Sequence, residues 1–132
     1  MTTWRHTLHP GPADAAPLLL LHGFTGSSQN WDEHAPVFAT QRPVLTVDII
    51  GHGRSPAPAA LDAYTMPRAA TEIIAILDEL QIEQAALLGY SMGGRLALFT
   101  AVHHPTRFTH LILESASPGL ATTAERQARR RR

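Results

Sequence analysis

Cysteine is absent from the 132 residues, which excludes disulfides, thiolate catalysis and cysteine metal sites, and suits a reducing compartment. Lysine is absent too, so all eleven basic residues are arginines. Five of them, Arg126, Arg129, Arg130, Arg131 and Arg132, crowd the C-terminal end, leaving residues 1–125 with six arginines against eleven acids. The formal neutrality is therefore a basic tail balancing an acidic body. Long apolar runs are lacking: Leu18 to Leu21, the longest strongly apolar stretch, is far too short to span a membrane, and no basic-then-apolar leader opens the chain. These absences predict a cytoplasmic protein without membrane insertion. With 44% hydrophobic residues, this length buries one core and not two.

What is present is organised around Gly89-Tyr90-Ser91-Met92-Gly93, between an apolar run, Ala85 to Leu88, and a small-residue helical pattern from Gly94 to Ala101. Strand, sharp turn and helix are the context that a G-x-S-x-G nucleophile elbow requires. Such a turn strains the serine backbone and projects its hydroxyl clear of the sheet, and Gly89, Gly93 and Gly94 supply the space for the crossing. The bland alternative is a glycine-rich turn with an incidental serine.

Upstream, Trp4 to Leu8 reads as a short edge strand before a Pro/Gly/Ala turn region. Leu18 to Leu21 and Val44 to Val47 read as strands buried on both faces, ending at His22-Gly23-Phe24-Thr25-Gly26 and at Asp48. Between them Asn30 to Ala39 reads as a helix with Trp31, Val37 and Phe38 facing inward. Thr65 and Pro67 signal a helix start, and Ala70, Ile73, Ile74, Leu77 and Leu80 make residues 66–80 an amphipathic crossover. The helix after Ser91 should stop near His103-His104-Pro105, and His110 to Glu114 is a further strand. Strands alternating with helices predict a mostly parallel, doubly wound sheet. Gly51-His52-Gly53-Arg54-Ser55, a tight turn after Asp48, is assigned a structural role.

His22-Gly23-Phe24, Asp48 with the Gly51 to Ser55 turn, and Gly89 to Gly94 together resemble the α/β-hydrolase superfamily, in the right order over nearly the whole chain. The resemblance implies Ser91 as nucleophile and the backbone N–H groups of Phe24 and Met92 as the oxyanion hole. It also places the triad acid and histidine after the serine, which argues against His22, His34 and His52 as the base. A narrower resemblance rests on Gly89 to Arg95, Glu114-Ser115-Ala116-Ser117-Pro118-Gly119-Leu120 and Glu125-Arg126. These segments resemble the 2-succinyl-6-hydroxy-2,4-cyclohexadiene-1-carboxylate (SHCHC) synthases of menaquinone biosynthesis. That family implies a lyase that eliminates pyruvate from a succinyl-cyclohexene carboxylate, with no cofactor and no metal. A substrate bearing several carboxylates gives guanidinium groups a purpose, and Arg95 and Arg130 match substrate-binding arginines, with Tyr90 lining the pocket. Without the resemblance Arg95 is equally a solvated helix residue, and Tyr90 packs as readily as it binds.

A serine needs a base held by a carboxylate. After Ser91 the sequence holds no aspartate, and His103, His104 and His110 sit at the wrong ends of their elements. Glu114 serves as the acid in some hydrolase arrangements and is read here as structural. The expectation is therefore an α/β-hydrolase core over 1–120, truncated before the cap and the last strands, with 121–132 as the arginine-rich start of a lid segment, and inactive by itself. A basic patch and a merely solvated tail are the other readings of the arginines; without interleaved aromatics, nucleic acid is not expected. The unpaired edge of the last strand is expected to favour oligomers. A partial serine esterase, or a non-catalytic ligand-binding domain, would share the same motifs.

Overall fold

In the computed structural model, which describes residues 2–131, the sheet is built from five short strands. They are β1 (His6–His9), β2 (Leu18–Leu21), β3 (Val44–Val47), β4 (Ala85–Tyr90) and β5 (Phe108–Glu114), in the order β1-β3-β2-β4-β5. β1 runs antiparallel to β3, with His6 opposite Val47; all other pairs are parallel, and Leu18 stands opposite both Val44 and Ala86. The four-leucine run of β2 lies at the centre, buried throughout. Alternate residues face opposite ways. Leu19 and Leu21 join Leu45, Val47, Leu87 and Ile73 in one core cluster, whereas Leu18 and Leu20 join Val44, Ala86 and Ala35 in another. A run of apolar residues without alternation is what a strand covered on both faces requires.

The crossover α2 (Met66–Glu79) buries Ala69, Ala70, Ile73, Ile76 and Leu77, and α3 (Met92–His103) buries Leu96, Ala97 and Thr100 on the same side of the sheet. The Thr100 hydroxyl donates to the Leu96 carbonyl at 2.7 Å, which lets a polar residue sit in the helix interior without an orphaned group. Three details depart from expectation. The strand near the N-terminus begins at His6, leaving Trp4 outside it but only 3% exposed. Asn30 to Ala39 is not one helix. A 3₁₀ turn, Ser28–Trp31, carries a Ser27/Asn30 capping box, and a separate single turn, α1 (Ala35–Phe38), follows it. Trp31, at the end of the 3₁₀ turn, and Phe38, in α1, do pack on the second cluster, but Val37 is 64% exposed. Thr65 precedes α2 without capping it, because its hydroxyl donates to the Asp62 carbonyl instead.

β5 closes the sheet on one side with its outer edge open, leaving Ile112 and Leu113 exposed. Beyond it α4 (Thr123–Arg130) starts with a reciprocal capping box: the Glu125 N–H donates to the Thr122 hydroxyl and the Thr122 N–H to the Glu125 carboxylate. Every residue of α4 is exposed. Arg132, the last of the basic tail, lies outside the described residues.

Candidate active site

β4 runs straight into α3, and Ser91 at the junction has φ 52° and ψ −113°. For a residue with a Cβ this region costs on the order of 1–3 kcal/mol, so it persists only where surrounding contacts impose it. Those contacts are visible. The Ser91 N–H donates to the Glu114 carbonyl of β5 at 2.9 Å, and the Ser91 carbonyl accepts from the Arg95 N–H one helical turn on, at 3.1 Å. The glycines set the clearance. A Cβ at Gly89 would overlap the Gly93 carbonyl, and one at Gly93 would overlap the carbonyl oxygens of Leu21 and His22 at the end of β2. Only a chain without side chains there lets α3 start directly on top of the sheet.

That contact brings the loop after β2 against the serine. A Cβ on Gly23 would lie 3.5 Å from the Ser91 Cβ and 2.9 Å from the Tyr90 ring. The loop turns at once: the Gly26 N–H donates to the Gly23 carbonyl at 3.0 Å, with Thr25 at φ 65°. Phe24 is carried outward on this turn, 74% exposed. Among the described residues neither the Phe24 nor the Met92 backbone N–H donates to a protein acceptor, and no side chain hydrogen-bonds the Ser91 hydroxyl. Met92 opens α3, where the first N–H groups have no intrahelical partner.

The histidines and the aspartate upstream hold this arrangement. His22 is fully buried; its Nε2 accepts from the Ile49 N–H at 3.0 Å, so the hydrogen sits on Nδ1 and is donated to the Gly23 carbonyl at 2.8 Å. Burial pushes the ring's pKa below its ordinary value, against the opposing pull of that carbonyl. With both nitrogens engaged, His22 is a bracket between two loops and not a base. Asp48 is the second bracket. Its carboxylate accepts from the Ser28 N–H at 2.7 Å and from the Arg54 N–H at 3.0 Å, and its carbonyl accepts the Ser55 hydroxyl at 2.5 Å. Burial pushes the Asp48 pKa up, and the N–H donors of Arg54 and Ser28 outweigh it and hold the carboxyl below the usual range. The Gly51 to Ser55 turn is thus structural, with Gly53 at φ 53° packed on the Asp48 carboxylate. Sequence reasoning placed this turn correctly but did not assign His22 its bracket role; a histidine followed by glycine at a buried strand's end was the available signal.

Two clefts open beside the residues on either side of Ser91, which itself lines neither. Tyr90, immediately before it, lines a cleft of about 590 Å³ with Trp31, His34, Ile112 and Glu114. Met92, immediately after it, lines a second of about 410 Å³ with Ile49, Tyr64 and Leu96. Phe24 borders both. The remaining candidates are less converged. Arg95 is exposed on α3 and lines neither cleft, and Arg130 lies in the last turn of the exposed α4, without a hydrogen bond or ion pair among the described residues. Among the described residues no group of three or more His, Asp or Glu could hold a metal ion, and no helix is long and apolar enough to cross a membrane.

Comparison with known proteins gives this geometry its context. A family model described as the alpha/beta hydrolase fold matches residues 16–131. A putative 2-succinyl-6-hydroxy-2,4-cyclohexadiene-1-carboxylate synthase of Bacillus subtilis (strain 168) is 40% identical over 122 residues, 90% of this chain and 43% of that protein. The sn-1-specific diacylglycerol lipase ABHD11 of Danio rerio is 37% identical over 114 residues, 85% of this chain and 35% of the lipase. Among solved structures, MenH from S. aureus superposes with a TM-score of 0.83 at 32% identity, covering 95% of this chain and 47% of that one. The chain therefore spans less than half the length of these relatives.

Proposed function

The chain belongs to the α/β-hydrolase fold family, and from that premise we propose that it carries the nucleophile half of a cytoplasmic, SHCHC synthase-like lyase acting on a small polycarboxylate. The observation that carries this reading is the Ser91 elbow at φ 52° with two backbone N–H groups, of Phe24 and Met92, unengaged beside it. In the reaction a proton leaves carbon, a C–O bond breaks and pyruvate departs, and negative charge develops on oxygen. Preorganised N–H donors stabilise such charge; removing one costs on the order of 10²–10³ in turnover. Ser91 supplies the reactive oxygen, Tyr90 lines the substrate cleft, and Arg95 offers a free guanidinium one turn away. Arg130 enters from the family resemblance alone. The family resemblance puts the base and its carboxylate after Ser91 in chain order, and residues 92–132 hold no aspartate to orient such a base.

Ester hydrolysis by the same serine is the second reading, and one observation favours it: no arginine lines either cleft beside Ser91. The two separate in one experiment on the protein made from its full reading frame. The lyase reading predicts pyruvate release from the succinyl-cyclohexene carboxylate, reduced on the order of 10³-fold or more by Ser91→Ala. Hydrolysis of p-nitrophenyl acetate without pyruvate release would replace it with the esterase reading.

A further inference from the structure

The cleft on the Met92 side differs in chemistry from the one on the Tyr90 side. Its floor is made by Ile49, Ala69 and Leu96, each buried, and its mouth by Phe24 and Tyr64, 74% and 42% exposed. No lining side chain is an acid or an arginine. The two polar side chains in it are turned to their own backbone: the Tyr64 hydroxyl donates to the Pro58 carbonyl at 2.8 Å, and His52 Nδ1 bonds the Ile50 carbonyl at 2.9 Å. The walls are fixed rather than adaptable. Tyr64 stacks on Gly51, where a Cβ would come within 3.1 Å of its ring and where φ is 78°, and Phe24 meets the His52 ring edge-on at 5.9 Å. A carboxylate brought against these walls would lose its water with no arginine side chain to pair with it, whereas an uncharged ring or alkyl chain would gain from burial. The Tyr90-side cleft, by contrast, carries Glu114, Asn30, His34 and the buried Trp31 Nε1, which has no acceptor among the described residues.

We infer that the cavity behind Phe24 is an apolar subsite that receives an uncharged aryl or alkyl part of the molecule attacked at Ser91, while its polar part lies on the Tyr90 side. This rests on the reading of the half-buried Ser91 as an accessible reactive side chain. The volume of about 410 Å³ suits a group of one ring and not a long acyl chain. Phe24 then has two tasks, its N–H toward the reacting oxygen and its ring as the partition between the two clefts.

The absence of cysteine makes a direct test available on the chain as it stands. Ser91→Cys introduces a single thiol, which is equilibrated with an excess of benzyl mercaptan and 3-mercaptopropionate under disulfide exchange, and the two mixed disulfides are quantified by mass spectrometry. The same ratio at Thr71→Cys, on the exposed face of α2 between Arg68 and Glu72, corrects for the thiols themselves. The inference predicts that benzyl is favoured about ten-fold over the charged thiol at position 91, from burial of one ring. Ala57→Trp, an exposed position on the cavity rim, should return the ratio to within about two-fold of the Thr71→Cys value. The benzyl adduct should also shift the ¹³C-methyl signals of Met66 and Met92, which both line the cavity. A labelled thiol with no benzyl preference, or a preference unmoved by Ala57→Trp, overturns the subsite. A thiol that resists labelling altogether overturns the reading of Ser91 as accessible, and the subsite with it.

Discussion

Replacing Gly93 by alanine tests how α3 is seated on the sheet. A Cβ there would overlap the carbonyl oxygens of both Leu21 and His22, which are backbone atoms of the central strand and of the loop that ends it. Neither can retreat without breaking the β2 ladder or the His22 bracket, so the overlap is relieved by lifting the start of α3. Overpacking of this kind costs about 3 kcal/mol or slightly more. The better helix propensity of alanine returns about 1 kcal/mol. Net destabilisation is then about 2 kcal/mol, a large share of the 5–15 kcal/mol typical of a domain. In urea, with a slope of about 1–3 kcal/mol/M, the midpoint should fall by about 1 M without a change of slope. Gly94→Ala makes a sharper comparison. Its Cβ would meet chiefly the Ala116 side chain, in the loop after β5, and approach the Gly89 carbonyl at 3.0 Å, so the loop can yield and the loss should be about half as large. A Gly93→Ala protein as stable as its parent, or a larger loss for Gly94→Ala, would refute the claim that β2 carbonyls fix the elbow.

Other outcomes follow from the same contacts. Ser55→Ala removes a hydroxyl that donates to the Asp48 carbonyl and accepts the Arg5 N–H at 2.8 Å, leaving a donor without a partner; a loss of about 1–3 kcal/mol in the same urea assay is expected. The His22 ring, held neutral by burial, should titrate below its ordinary value with Nε2 unprotonated in ¹⁵N spectra. Because the unfolded chain takes up that proton first, this residue's contribution is full above about pH 6.5 and declines as the pH falls toward the folded pKa. For Asp48 the folded pKa is also depressed, so its contribution is lost only as the pH falls below about 3.9 and through the folded value. The open β5 edge, with Ile112 and Leu113 exposed, should give concentration-dependent self-association in analytical ultracentrifugation; a clean monomer at high concentration would contradict it.

The elements that were legible in the sequence are those specified locally and globally at once. Leu18–Leu21 and Val44–Val47 are almost wholly apolar and turn residues bound them, so their limits and their burial on both faces could be read directly. That the loops carrying Phe24 and Ser91 meet was legible because glycine spacing fixes where they can approach, whereas the roles of Ser91, Phe24 and Met92 come from the family resemblance. The segment from Asn30 to Ala39 was not, since the Ser27/Asn30 capping box closes a 3₁₀ turn before a longer helix can form, and Val37 ends on the solvent side. Thr65 marked the helix start correctly, although its hydroxyl bonds the Asp62 carbonyl instead of capping. The bracket roles of His22 and Asp48 depend on contacts 27 and 20 residues away, to Ile49 and Ser28, which no local pattern encodes. Arg95 and Arg130 were named from family resemblance, and their side chains do not meet at the clefts.

The central claim is that a strained Ser91 stands beside two backbone donors that the fold leaves free. Amide hydrogen exchange on the chain itself measures this residue by residue. The Ser91 N–H, bonded to the Glu114 carbonyl, should be protected, and the Phe24 and Met92 N–H groups should exchange at least ~10-fold faster. Protection of those two amides equal to that of Ser91 would show that the protein satisfies them itself, and the oxyanion-hole reading would fall.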